Sequence, residues 1–299
     1  LTRLNAAPGV IVIAATNYVE KIDPAIIRSG RFDLKINVDH PDKSGVRDIL
    51  AHHLRSATLV DADVVNQLVG LSGADLAFIA RNAKSRARRA KSPLSRDHVR
   101  LAANAAAPKG DTAQLKRIAG HEAGHIVIAS LLGLPLPVAA FATPSGGLVK
   151  RAAPSVFTAE NTKLELAYLF GGRAAELLLF ENVSSGSGGQ AGSDLDCATS
   201  LALSMETDWG LGDGGLMFAP VPMNDRHAMS APLRRAINKR LADAEDMALS
   251  TLSANIDLLR CVTDALMQSR ELSKAQIAEL FVRPAAPQLA SPDQPPCAL

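Results

Sequence analysis

The chain has 299 residues, which is enough for about two domains of ~100–200 residues each. Apolar residues make up 47% and charged residues 21%, the profile of a soluble globular protein. The net charge of +2 excludes a protein that binds nucleic acid through its overall charge.

The first forty residues carry two apolar segments that predict β-strands. Residues 9–16 form a continuous run rich in β-branched side chains, which is typical of a strand buried on both faces. Asp23 and Pro24 predict the start of a short helix, because proline at the first helical position loses no hydrogen bond. Residues 34–38 alternate between apolar and polar side chains and predict a second strand, which ends before Pro41.

After these strands the pattern becomes helical. Four segments carry apolar residues at helical spacing behind a polar residue that can cap the helix. They cover residues 44–54, 61–71, 72–91 and 95–107. The third segment concentrates positive charge, but no aromatic side chains are interleaved for base stacking. A solvated helix face is therefore favoured, and nucleic acid is not an expected partner.

A third region begins after a predicted linker at residues 108–111. It is mostly helical up to Val282, except around residues 139–150. Residues 126–149 carry no charge and are long enough to span a bilayer at ~20 residues. Their prolines and glycines would interrupt a spanning helix, so they predict a helix end, a turn and a strand. The final residues, 284–299, hold five prolines and predict disorder.

The cysteines give information about the compartment. Cys197, Cys261 and Cys297 are far apart and odd in number, and no CxxC pair occurs. Neither a disulfide framework nor a cysteine zinc finger is supported. This usage indicates a reducing, cytoplasmic compartment.

One motif in the third region carries metal chemistry, His121-Glu122-Ala-Gly-His125. Histidines four residues apart lie one helical turn apart, so both imidazoles can bind one zinc ion. Glu122 projects nearby and can accept a proton from the attacking water. The alternative is two surface histidines on an amphipathic helix. The apolar run that begins at Ile126 disfavours it, because it predicts a buried helix and buried histidines need partners.

A catalytic zinc also requires a third protein ligand and an open position. The metzincin pattern is excluded, because Ile128 and Leu131 stand where its glycine and third histidine belong. No Asp, Glu, His or Cys occurs between Ile126 and Ala159, so the ligand must come from a later helix. The candidates are Glu160, Glu165, Glu176, Glu181, Asp194 and Asp196.

Four sequence blocks in this order resemble the FtsH family of ATP-dependent zinc metalloproteases. The blocks are His121–His125, Gly171–Glu176, Ser193–Thr199 and Trp209–Gly210. In that family the carboxylate beginning the third block completes the metal site, which implies that Asp194 is the third zinc ligand. Ser193 and Asp196 fit a helix capping box, which leaves Asp194 to face the metal. Leu177 stands where the family has a second glutamate.

The N-terminal part resembles the end of the ATPase module of the same family. The matching segments are Ile11–Asn17, Asp23–Asp33 and Ser72–Leu76. The resemblance implies that Asn17 is a sensor of nucleotide and that Arg31, supported by Arg28, is an arginine finger. It also implies that Gly73 and Ala74 begin a lid helix that touches adenine.

Two departures from the ATPase pattern bear on activity. Leu34 stands at the position of a second arginine finger. The chain contains no G-x-x-x-x-G-K-[S/T] motif and no Asp-Glu pair, so the phosphate cradle and the magnesium site are missing. We do not expect this chain alone to hydrolyse ATP. ATP and Mg²⁺ would bind only in a complete module.

We therefore predict a multidomain, α-rich α/β chain. Residues 1–43 would end an AAA+ ATPase core, 44–107 would form a helical lid, 108–283 a mainly helical zinc peptidase, and 284–299 a disordered tail. The resemblance implies a zinc-dependent endopeptidase that degrades unfolded or membrane proteins in an ATP-driven homohexamer.

The same resemblance implies a cytoplasmic protein, held at the inner membrane by an N-terminal anchor that this chain does not contain. Two alternatives remain open. One is a non-catalytic AAA+ assembly module. The other is an intramembrane zinc protease, which would require several uninterrupted apolar spans.

Overall fold

The structure is a computed structural model. It describes residues 9–16, 22–23, 25–27, 31–32, 34–36, 38, 40–107, 111–144, 146–213, 215–216, 218–221 and 229–282. The chain divides into two units, Leu1–His40 and Pro41–Leu299. The roles predicted for Asn17 and Arg28, and the disorder predicted for residues 284–299, concern residues outside the described part.

Where the first unit is described, its predicted strands do not form. Residues 10–16 and 34–36 have no regular secondary structure, and Ile11 and Ile13 are each 87% exposed. A strand of this composition is stable only between neighbours that cover both faces, and the described residues of this unit supply none. The helix predicted at Asp23 is a turn, in which the Ile26 N–H donates to the Asp23 carbonyl at 2.8 Å. These three predictions were wrong.

Four helices form the first hydrophobic core of the second unit. They are α1 (Lys43–Leu54), α2 (Ala62–Leu68), α3 (Gly73–Arg89) and α4 (Arg96–Ala106). Their existence and order confirm the helical pattern. Asp61 caps α2 by accepting from the Val64 N–H, and Ser72 and Asp75 form a capping box on α3. Helix α2 ends earlier than predicted because Gly70 adopts a positive φ of 88°.

A larger second core lies around the remaining helices. They are α5 (Thr112–Leu131), α6 (Ala159–Phe180), α7 (Asp194–Thr207), α8 (Ala231–Ala254), α9 (Ile256–Ser269) and α10 (Lys274–Val282). Every residue of α5 from Ala119 to Ala129 is buried, which confirms the prediction that the histidine motif lies in a buried helix. None of the described helices combines the length and apolarity needed to cross a membrane.

A small antiparallel sheet completes the second core. Strands β1 (Ala139–Thr143) and β2 (Gly146–Lys150) form a hairpin in the region predicted to leave the helical pattern. Strand β3 (Glu271–Ser273) pairs with the other edge of β1, so the order among the described strands is β2-β1-β3. No described strand pairs with the outer edge of β2.

Helices α5 and α6 touch through two glycines. A Cβ atom added to Gly124 would lie 2.1 Å from the carbonyl oxygen of Gly171 and 2.7 Å from the Ala175 side chain. A Cβ added to Gly171 would lie 2.9 Å from the Gly124 carbonyl oxygen. The histidine motif on α5 is therefore held directly against the backbone of α6.

We expect Gly124→Ala to destabilise the chain, although alanine favours helices. The helix preference contributes about 1 kcal/mol. The clash is with backbone, which cannot move aside, and overpacking of this kind costs about 1–3 kcal/mol or more. Urea denaturation followed by circular dichroism measures the difference. Gly73→Ala is the matched control, since its new Cβ would meet only the Ile49 Cδ1 atom at 3.8 Å. Equal stability of the two variants would contradict the close packing.

Candidate metal centre

Three side chains from two helices converge on one point. The His121 Nε2 atom lies 3.2 Å from the His125 Nε2 atom and 3.0 Å from the Asp194 Oδ2 atom. The His125 Nε2 atom lies 3.5 Å from the same Asp194 oxygen. Helix α5 supplies both histidines one turn apart, and Asp194 is the first residue of α7. These three residues form a group that could hold a metal ion.

The orientation of the imidazoles fits a metal ion. The Nδ1 atom of His121 lies 2.9 Å from Glu176 Oε1, and the Nδ1 atom of His125 lies 2.8 Å from the Tyr168 carbonyl oxygen. Acceptors at Nδ1 hold the proton there and leave the Nε2 lone pairs facing Asp194. Ligands of a tetrahedral zinc at about 2.0–2.1 Å lie about 3.3 Å apart, and the three observed separations fall around that value. The donor set and its spacing fit zinc.

Glu176 supports the centre from behind His121. Its side chain is 1% exposed. It accepts hydrogen bonds from Arg117 Nη1 at 2.8 Å, from the Ser184 N–H at 2.8 Å and from the Ser184 hydroxyl at 3.0 Å. Burial opposes its ionisation, but the hydrogen bonds from His121, Arg117 and Ser184 outweigh burial and lower its pKa to about 2. Glu176 is therefore an ionised acceptor that fixes the orientation of His121.

The charge balance of the centre favours a cation. Burial opposes a proton on His121, but hydrogen bonds to Asp194 and Glu176 outweigh it and raise the His121 pKa to about 10. Burial likewise opposes the charge on Asp194, yet hydrogen bonds from His121 and His125 hold the pKa of that carboxyl well below its usual range. Two carboxylates thus stabilise positive charge between them, and a metal ion competes with the proton for that position.

Glu122 lies beside the three ligand atoms in a covered position. It is 8% exposed, and burial raises its pKa, while the charges of His125 and His121 act in the opposite direction. A Cβ on Gly147 would lie 2.3 Å from Glu122 Oε1, so strand β2 passes directly over the carboxyl. A Cβ on Gly172 would lie 2.3 Å from His121 Nε2. Sequence reasoning missed both approaches, although the Gly146-Gly147 and Gly171-Gly172 pairs were a readable signal of close packing.

The other candidate ligands lie elsewhere. Glu160 and Glu181 are exposed near the two ends of α6. Glu165 pairs with Arg151. Asp196 accepts from the Gly192 N–H at 2.8 Å.

The capping prediction at α7 needs a correction. Ser193 is the N-cap residue, but its side chain makes no capping hydrogen bond. Asp196 does bind a backbone N–H next to the helix start, that of Gly192. The capping box was therefore wrong in detail, because the turn before α7 brings a different amide to the carboxylate. Of the six candidate ligands, Asp194 is the one placed against both histidine Nε2 atoms.

The described residues that the sequence assigned to nucleotide chemistry lie in both units, and each is described within its own unit. In the first unit, Arg31 donates to the Ala25 carbonyl at 2.7 Å. In the second unit, Gly73 and Ala74 occupy the first turn of α3. Their predicted roles depend on a nucleotide and on neighbouring subunits, and they stay predictions.

A mainly helical core that joins an H-E-x-x-H helix to an aspartate from a later helix has the residue arrangement of a zinc site of the H-E-x-x-H class. The profile of peptidase family M41 matches residues 110–280, more than half of the chain. The chain belongs to peptidase family M41. The profile of the ATPase family associated with various cellular activities (AAA) matches residues 2–40.

Proteins named ATP-dependent zinc metalloprotease FtsH are similar over most of the chain. The relative from Photobacterium profundum is 31% identical over 92% of this chain and 44% of its own length. The relative from Acaryochloris marina is 32% identical over 93% of this chain and 47% of its own length. The relative from Neorickettsia risticii is 32% identical over 92% and 47%. The chain thus spans about half the length of the curated relatives it matches.

Proposed function

We propose that this chain is a zinc-dependent endopeptidase that cuts unfolded polypeptides. The observation that carries the proposal is the convergence of His121, His125 and Asp194 beside the buried Glu122. Membership of family M41 and the names of the similar proteins support the same activity.

In this proposal His121, His125 and Asp194 hold the zinc ion, and Glu176 and the Tyr168 carbonyl fix the two imidazoles. Zinc held by three protein ligands supplies a Lewis acid that makes hydroxide available near neutral pH. Glu122 accepts the proton of the attacking water and delivers it to the leaving amine. Burial raises the pKa of Glu122, and the charges of His125 and His121 oppose that effect.

The peptide substrate binds in extended form along β2. The outer edge of this strand has no described partner, so its backbone N–H and C=O groups can pair with an added strand. Gly147 lies on β2 directly over Glu122, which would bring such a peptide to the proton acceptor. Because folded proteins rarely offer a free extended segment, the substrates are unfolded chains.

The organisation of the chain follows from the same proposal. Residues 1–43 end an AAA+ ATPase core in which Asn17, Arg28 and Arg31 act on nucleotide. Residues 44–107 form the lid with Gly73 and Ala74 at adenine, residues 108–283 form the peptidase, and residues 284–299 form a tail. The separate hydrophobic cores of helices α1–α4 and α5–α10 support the division between lid and peptidase. The assembled protein is a homohexamer that threads unfolded or membrane proteins to the zinc site, at the cytoplasmic face of the inner membrane.

Metal removal tests the proposed function. We expect the purified chain to carry about one zinc ion and to digest β-casein into peptides. Dialysis against 1,10-phenanthroline should stop digestion, and added Zn²⁺ should restore it, because no other described group offers comparable Lewis-acid chemistry. Circular dichroism before and after dialysis shows whether the fold is retained. Digestion that continues in the zinc-free chain would contradict the proposal.

A further inference from the structure

Two contacts among the described residues join helices α1–α4 to the sheet of the second core. The N–H of Lys43, at the start of α1, donates to Glu271 Oε2 at 2.9 Å, and Glu271 is the first residue of β3. Gly70, between α2 and α3, lies against Thr143 at the end of β1. Strands β3 and β1 pair with each other, so both contacts reach the same sheet. The position of the first four helices is therefore linked to the sheet that covers the metal centre.

Thr143 is buried at the turn of the β1–β2 hairpin. It is only 6% exposed, and its hydroxyl donates to the Gly146 carbonyl at 2.8 Å. The hydroxyl thus links the last residue of β1 to the first residue of β2. The next residue of β2 is Gly147, which lies directly over Glu122. The turn closed by Thr143 therefore determines where the strand above the proton acceptor begins.

The contact between Gly70 and Thr143 leaves no space for an added methyl group. A Cβ atom on Gly70 would lie 2.9 Å from Thr143 Cγ2, and the next two nearest atoms also belong to Thr143. Rotation of the threonine side chain would move Cγ2 aside. The same rotation would carry the hydroxyl away from the Gly146 carbonyl, because both groups are bonded to one β-carbon. Within the second core, a group that pushes on Cγ2 therefore either breaks the hydrogen bond of the turn or moves the hairpin.

We propose that Thr143 is a positioning residue of the protease, which transmits the position of helices α1–α4 to the strand over Glu122. The inference rests on the proposed function. The hydroxyl holds the start of β2 in place, and the methyl group packs against Gly70. Because β2 is also the strand along which the peptide substrate binds, movement of the turn changes both peptide binding and the cover of the proton acceptor. A shift of the first four helices reaches the metal centre by this route.

Two substitutions at this contact, made singly and together in the zinc-loaded chain, test the inference. Gly70→Ala adds the methyl group that meets Cγ2, and Thr143→Ser removes Cγ2 but keeps the hydroxyl. We expect Gly70→Ala to lower kcat/KM for β-casein about tenfold, an effect of the size that overpacking usually has. Hydrogen exchange of residues 139–150 should become faster in the same chain, because the turn is loosened. With both substitutions, each quantity should lie within about twofold of its value in Thr143→Ser alone, since Cγ2 is then absent.

Gly133→Ala is the matched control for Gly70→Ala. Gly70 and Gly133 have positive φ angles of 88° and 71°, which strain any residue that carries a side chain. Beyond its chain neighbours, no described atom lies within 4 Å of a Cβ added to Gly133, so this variant carries the strain without the clash. We expect its casein digestion and its hydrogen exchange at residues 139–150 to match those of the unchanged chain. Thermal unfolding in excess zinc checks that every variant is folded.

Thr143→Val keeps the test decisive if Gly70→Ala does not fold. It keeps the Cγ2 methyl group and replaces the hydroxyl by a second methyl group. We expect faster hydrogen exchange at residues 139–150 although Gly70 is unchanged, because the hydrogen bond of the turn is lost. Thr263→Val is its matched control. The Thr263 hydroxyl donates to the Leu259 carbonyl at 2.7 Å on α9, away from the turn, so its loss should leave exchange of residues 139–150 unaltered.

The outcomes separate this inference from the proposed function. If Thr143→Ser does not restore the activity lost in Gly70→Ala, the role of Thr143 is overturned while proteolysis stands. The same holds if exchange at residues 139–150 is unchanged in Gly70→Ala or in Thr143→Val. Faster exchange in Gly70→Ala that Thr143→Ser reverses, combined with no casein digestion even by the unchanged chain, overturns the proposed proteolysis while the link between Gly70 and the hairpin stands.

Discussion

A Glu122→Gln chain should bind zinc as the unchanged chain does and digest casein at least ~100-fold more slowly. Glutamine has the size of glutamate, so the packing under Gly147 is retained. It cannot accept a proton, however. Because the metal ligands are His121, His125 and Asp194 in this proposal, the variant should still contain about one zinc per chain. Metal analysis and a casein assay on the same preparation measure both quantities.

Glu160→Gln is the matched control for this experiment. Glu160 is exposed in the first turn of α6. The same chemical change there should leave both the zinc content and the digestion rate unaltered. Equal digestion by the Glu122→Gln chain would remove Glu122 from the mechanism. Loss of zinc from that chain would mean that Glu122 contributes to holding the metal.

The helices were predictable because their signals are local. The capping box of Ser72 and Asp75 marks the start of α3, and the apolar residues after His125 mark a helix buried on all sides. The His121–His125 spacing likewise determines that both imidazoles lie on one face of α5. These features depend on residues a few positions apart, which a sequence displays directly.

The supporting shell of the metal centre depends on contacts between distant segments. His121 bonds Glu176 on α6, and Glu176 in turn bonds Arg117 on α5 and Ser184 beyond α6. Strand β3 pairs with β1 from the far end of the chain. Spacing in the sequence does not reveal the partners Arg117 and Ser184 or the pairing of β3, because they follow from how distant segments pack. The contact between Glu176 and His121 matches the alternative role that the sequence left open for Glu176, which was to orient a histidine instead of binding the metal. Gly124 and Gly171, which lie at the contact between α5 and α6, were the sequence feature that could have indicated this close packing.

In the described residues of the first unit, the sequence predicted strands that the structure does not contain. The apolar run that includes Ile11 and Ile13 has the composition of a buried parallel strand, yet both side chains are 87% exposed. An apolar, β-branched composition indicates that a strand must be covered on both faces. A central strand is stabilised by the strands that pair with it on either side. A sequence pattern therefore predicts the environment that a segment requires, and the structure forms only where that environment is present.

Replacement of Asp194, the proposed third zinc ligand, should lower zinc affinity strongly. The Oδ2 atom of Asp194 lies 3.0 Å from His121 Nε2 and 3.5 Å from His125 Nε2. Asp196 instead holds the Gly192 N–H, and Glu176 bonds His121 at Nδ1, on the side of the ring away from the convergence point. Asp194 should therefore contribute directly to metal affinity, while Glu176 contributes through the orientation of a ligand.

Chelator competition on three variants ranks these carboxylates. Removing a partner that orients a ligand typically costs ~10–100-fold in metal affinity, which is what we expect of Glu176→Gln. Asp194→Asn should cost more, because it replaces a charged ligand atom, and Asp196→Asn should leave zinc affinity nearly unchanged. Thermal unfolding in excess zinc checks that each variant folds. Should Glu176→Gln or Asp196→Asn release zinc most readily, the third ligand is not Asp194. If zinc affinity falls most in Asp194→Asn, less in Glu176→Gln and little in Asp196→Asn, Asp194 at the start of α7 is the carboxylate that completes the metal site.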